Sequence, residues 1–233
     1  MLPLDYILLS SRQARQAALD GYIPIVPFGS MEQHCEGPLG TDSIIVEALA
    51  RKACVRARSR GVPCLLLPTV YYGFSPEWAG VHGTVSLGIE AFTRLVHGIL
   101  DSLLRTGFRR ILVLNGHGGN SGLLYSAVVE WTSRHEDTIV ALADYWRVAG
   151  FDIGHASSVE ERLLSDAGVE ADMGDCPPIR IGGPARIVNP PREPVKAEPR
   201  HGDKPSVSLD SAAESLASLL EELARLEPGK HSI

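Results

Sequence analysis

Apolar and polar positions along this chain fall into blocks. YIPIVPF, residues 22–28, is an unbroken apolar run with the length of a buried strand, and PCLLLPTVYYG over 63–73 predicts a second. RRILVLN opens a third at 109–120, which includes its exit loop, and TIVALADYW over 138–146 predicts a fourth. Between them lie longer amphipathic stretches: 43–61, 88–107, and SGLLYSAVVEWTSRH from Ser121. The first two stop at Gly61 and Gly107, the residue type that most easily ends a helix. Uniformly apolar strands separated by helices imply βαβ units and a mainly parallel sheet covered on both faces, a three-layer α/β/α fold. After about residue 175 the texture turns Pro- and Gly-rich and reads as an edge hairpin and ordered loop, closed by a helix near 209–226. Nothing resembles a linker, so residues 1–233 are expected to form a single domain.

Composition narrows the function classes. With 44% hydrophobic and 21% charged residues, the sequence is that of an ordinary globular protein. A net charge of -6 argues against nucleic acid as the partner. No apolar run approaches the roughly 20 residues that span a bilayer. The start, MLPLDYILLSSRQ, lacks a basic opening, so no secretory signal is expected. Cys35, Cys54, Cys64 and Cys176 form no CxxC pair, which fits four thiols in a reducing cytoplasm.

Candidate chemistry sits at strand ends, where open parallel sheets bind their ligands. GSMEQHCEGPLGTD follows the first predicted strand and supplies Glu32, His34 and Asp42; NGHGGN follows the third and supplies His117 between glycines. Glu32 and His34 are two apart and project the same way from extended backbone. Carboxylates with imidazoles suit zinc, manganese or iron, and one carboxylate can bridge two ions. The backbone N–H groups of Gly118, Gly119 and Asn120 are expected to bind substrate, stabilising developing negative charge or cradling a phosphate; a plain turn, or an anion nest without catalysis, is the competing reading. DIGHASSVEERLL adds His155 before a predicted helix and Glu160 in its first turns. Tyr72, Trp78 and Trp146 lie near strand ends and are placed to roof a pocket or to pack in the core.

GSMEQH with GTD, VHGTVSL (81–87), NGHGGN and HAxxxE, in that order, resemble the creatininase family. The resemblance covers roughly residues 20–165. It implies a single α/β domain, two divalent metal ions per subunit, hydrolysis of amide C–N bonds other than ordinary peptide bonds, and a homo-oligomer, a hexamer or a dimer. Carried over, Glu32 and His117 match ligands of one ion, His34 a ligand of the other, and Asp42 the bridge. Creatininase itself has a Glu two residues beyond the NGH histidine; here that residue is Gly119, which makes Glu160 the candidate replacement. His155 matches the proton-donating histidine. The loop EQHCEGPLGTD is one residue shorter than the family pattern and lacks its second histidine, Cys35 and Glu36 standing near that place. Gly154, Ser157 and Arg162 also depart from the pattern, which counts against creatinine as the substrate.

Within the family, the archaeal formamidopyrimidine ribotide deformylase of flavin and deazaflavin synthesis has a similar length and GHGGN loop, so a formamide or cyclic amide is the first expected substrate. Creatinine and a peptide-trimming activity are the alternatives. An inactive metal- or phosphate-binding protein is the alternative of another class, and intact His155 and Glu160 speak against it.

Overall fold

In the computed structural model, which describes residues 2–174 and 207–229, the sheet has four parallel strands. They are β1 (Ile23–Phe28), β2 (Cys64–Leu66), β3 (Arg110–Asn115) and β4 (Ile139–Asp144), in the order β2-β1-β3-β4. Alternate side chains on each strand serve opposite faces. Ile23, Ile25, Leu112 and Leu114 face one core, and Val26, Phe28, Ile111 and Val113 face the other. The first core is closed by α2 (Thr41–Ser59), α5 (Tyr145–Ala149), α6 (Ser158–Asp166) and α7 (Leu209–Arg225). The second is closed by α1 (Ser11–Leu19), α3 (Ile89–Thr106) and α4 (Ser121–Thr132). This is the expected three-layer arrangement.

The differences from the sequence reading have local causes. β2 is shorter than the 63–73 run: Pro68 has no N–H to give, and the chain rejoins β1 only where Val70 N–H donates to Pro27 O at 2.9 Å. Tyr145 and Trp146 are not the end of a strand. They open α5 and are buried in the first core, so Trp146 roofs no pocket. Helix α1 went unforeseen because only Ala14 and Ala17 of its nine residues are buried, although Ser10 and Gln13 form a reciprocal capping box. Cys54 of α2 and Cys64 of β2 are joined by a disulfide with Cα atoms 5.9 Å apart, which corrects the expectation of four free thiols. The expected edge hairpin, and Cys176 with it, lies outside the described residues. Among the described residues no helix is long and apolar enough to cross a membrane.

Candidate metal centre

The chain leaves β1 toward β2 and leaves β3 toward β4, so neighbouring strands β1 and β3 mark the point where the sheet's winding reverses. Loops leaving two such strands diverge and open a crevice at their carboxyl ends. Both strand-end motifs open there. Asp42 is not in the loop but in the first turn of α2, where the helix N-terminus favours a negative charge. The loop reaches it because Gly29 packs against Ser43 so closely that a Cβ would overlap the Ser43 backbone. Glu160 arrives from the first turn of α6.

Five buried side chains converge. Asp42 Oδ2 lies 3.0 Å from His117 Nδ1, and Asp42 Oδ1 lies 3.5 Å from His34 Nε2. Glu32 Oε1 is 3.3 Å from His117 Nδ1, while Glu160 Oε1 is 3.6 Å from His34 Nε2. Glu32, Asp42 and His117 therefore form one triad of potential ligand atoms, and His34, Asp42 and Glu160 a second, each within 4.8 Å. Asp42 belongs to both, one oxygen to each. Glu32, His34 and His155 meet the same distance limit.

The residues fit a cation on two observations. Glu32 Oε2 and His34 Nε2 are buried without a hydrogen-bond partner, a costly arrangement for groups facing only protein. The supporting contacts also orient the ligand atoms. His34 Nδ1 donates to Glu32 O (3.1 Å) and His117 Nε2 to Phe74 O (3.1 Å), which turns the other nitrogen of each ring toward the carboxylates. Ser30 donates to Asp42 Oδ2 at 2.7 Å. Glu160 divides its oxygens: Oε2 accepts the Ser157 N–H (2.8 Å) in a capping box, and Oε1 faces His34.

The electrostatics of the protein groups agree. Burial raises Glu32 to about 7 and also raises Glu160. Burial works against charge on His34, but Asp42 and Glu160 outweigh it and hold the imidazole up at about 11. Burial likewise opposes charge on His117, which Asp42 and Glu32 raise to about 9. Despite burial, its contacts with His117 and His34 keep Asp42 well below the usual carboxylate range. Bound protons thus balance the buried carboxylates, and divalent ions would displace them.

The remaining predicted residues separate. His155 stands beside the cluster, its Nδ1 3.5 Å from Glu32 Oε1. Burial and the neighbouring His34 charge push it down to about 3. Trp78 stacks on its ring (4.6 Å between centroids, 18° between planes), while Tyr72 is 48% exposed. Asn120 is buried, and its amide donates to Gly29 O and accepts from Phe74 N–H, tying the two loops together. A Cβ at Gly119 would collide with His117 Nε2 and Phe74 O, so no side chain can replace this glycine without displacing a candidate ligand. Gly118 opens the same single 3₁₀ turn.

Sequence reasoning missed Gln33, Ser30, Ser75 and Asn115. Gln33 Nε2 lies 2.9 Å from His155 Nε2, and Ser75 Oγ is 3.1 Å from His117 Nε2. Asn115 links the His117 backbone to Asp144. Gln33 and Ser30 stand inside the first motif, where position alone could have flagged them. Ser75 carries no such signal.

A family model described as creatininase, creatinine amidohydrolase, matches residues 8–170. The mycofactocin precursor peptide peptidase of Mycobacterium ulcerans is 33% identical over 183 residues, covering 70% of each chain. That of Mycobacterium tuberculosis is 39% identical over 110 residues, 45% of this chain and 43% of the relative, so the match spans less than half of that protein's length. A solved creatininase with manganese superposes with a TM-score of 0.73 at 22% identity, over 95% of this chain and 98% of that one. At that identity the superposition speaks for the fold alone. The family model takes in both strand-end loops and the His155–Glu160 segment, on the same fold: this chain belongs to the creatininase family.

Proposed function

We propose that the protein is a metal-dependent amidohydrolase that cleaves an amide C–N bond. The observation that carries this reading is the division of Asp42, whose two oxygens face two different imidazoles, each backed by a further carboxylate. Glu32, Asp42 and His117 would hold one divalent ion, and His34, Asp42 and Glu160 the other. Zinc, manganese and iron all accept this oxygen and nitrogen donor set. Such a pair supplies Lewis acidity, which activates water near neutral pH and polarises the amide carbonyl.

The chain's own groups do the rest. His34 and His117 keep fixed tautomers through Glu32 O and Phe74 O. His155, beside Glu32, is placed to hydrogen-bond the departing nitrogen, which leaves poorly unless it takes up a proton; the attacking water supplies that proton. Trp78 covers the His155 ring and limits water on that face.

A formamide or cyclic amide, such as the formamidopyrimidine ribotide, is the first substrate class in this reading. A short peptide is the second, favoured by the 33% identity to a peptide peptidase over 70% of the chain. A homo-oligomer, hexamer or dimer, also belongs to this reading, and sedimentation velocity measures it directly. Turnover of a panel of formamides, cyclic amides and short peptides should stop on thorough chelation and return on adding metal. Turnover that survives chelation would refute the proposal.

A further inference from the structure

The three histidines around the centre are backed by different kinds of partner. The outward nitrogens of His34 and His117 each meet a main-chain carbonyl, which accepts an N–H and leaves the inward nitrogen to face the carboxylates and any ion that displaces its proton. The outward nitrogen of His155 meets the side-chain amide of Gln33, Nε2 to Nε2, at 2.9 Å. A carboxamide can be turned over, so its identity must come from its other contacts. Gln33 Oε1 lies 3.1 Å from Cys35 N, a backbone N–H that only the oxygen can accept. The Gln33 main chain is itself held, its N–H donating to Thr84 Oγ1 at 3.0 Å. Gln33 therefore presents N–H to His155, whose Nε2 must be the acceptor. The proton of the neutral ring then sits on Nδ1, which faces Glu32 Oε1 at 3.5 Å.

We propose that Gln33 is a positioning residue that fixes His155 as the Nδ1–H tautomer, barring it from the metal shell and aiming its N–H at the reacting centre. Metal ligation needs a bare imidazole nitrogen. His155 therefore remains a hydrogen-bond donor, although it satisfies the same distance limit as the ligands. Trp78, stacked on the ring, holds the plane in which this donor points. The role in turnover rests on the amidohydrolase reading, whereas the tautomer does not.

Nitrogen-15 NMR of histidine-labelled, metal-free protein tests the tautomer without any activity measurement. With His155→Asn used to assign the signal, His155 in the otherwise unaltered protein should be protonated at Nδ1 and bare at Nε2. Gln33→Glu, which replaces the donor by an acceptor, should place a proton on Nε2. Gln33→Met, which removes the donor, should give a mixture of tautomers. A protonated Nε2 without any substitution at Gln33, or a Gln33→Met spectrum unchanged from it, would overturn the proposal. In the metal-loaded enzyme, Gln33→Met should lower kcat about tenfold or more, the order of losing one preorganised hydrogen-bond donor, with metal content and KM nearly constant. If no amide in the panel is turned over, the amidohydrolase reading fails while the NMR result still decides the tautomer.

Discussion

Asp42 concentrates the account at the residue scale, because the two candidate ligand sets share no other residue. The protonation of its neighbours gives a prediction with a definite sign. His34 and His117 hold their protons up to about 11 and about 9, above the histidine reference of 6.5, and Glu32 is raised to about 7 from 4.5. A raised value in the folded state adds stability at pH below the unfolded value and loses it as pH climbs through the folded one. Metal-free protein should therefore melt at progressively lower temperature from about pH 6 to pH 9, as calorimetry would record. Metal affinity should rise over the same interval, because the ions compete with those protons. A metal-free melting temperature that rises across this window would contradict the assigned proton balance. The candidate ligands were legible in the sequence, since carboxylates and imidazoles clustered at two strand ends. The groups that orient them were less so: Ser75 and a main-chain carbonyl such as Phe74 O have no chemistry of their own to announce, and only the fold brings them to 3.1 Å from His117 Nε2.

At the scale of elements, α6 joins secondary structure to the site. Glu160 caps its own helix with Oε2 and offers Oε1 to the cluster, so helix start and ligand position are one feature. Ser157→Ala removes half of the capping box, which should cost about 1 kcal/mol of stability. It should also weaken the ion on the His34 side more than the ion on the His117 side, a difference that metal titration resolves. Equal weakening of both would mean that the cap does not set the Glu160 position. The strands and the long helices were readable from apolar runs and stop glycines; Gly107, with φ of 113°, is the left-handed residue ending α3. Boundaries were less readable. Asp42 looked like part of a loop because Gly37, Pro38 and Gly40 precede it, yet α2 already begins at Thr41.

For the whole molecule, the sheet order puts the β1–β3 junction in the middle, and the helices on both faces hold the strand ends in register. Helix α7, far along the sequence from the site, lies on α2 and buries Leu209, Leu216, Leu220 and Leu223. Leu220→Ala should lower stability by about 2–5 kcal/mol, the range for emptying a buried leucine site, in denaturant melts. The folded fraction should still bind metal at full stoichiometry, since α7 supplies none of the candidate ligands; a changed stoichiometry would show that α7 shapes the centre. The central claim, two ions joined through one aspartate, has a direct measurement in metal content per chain by elemental analysis of protein purified without chelator. The account predicts two ions in the unaltered chain, one in Glu160→Gln, and almost none in Asp42→Ala. Two ions retained in folded Asp42→Ala, or no metal in the unaltered protein after incubation with zinc, manganese and iron in turn, would contradict it.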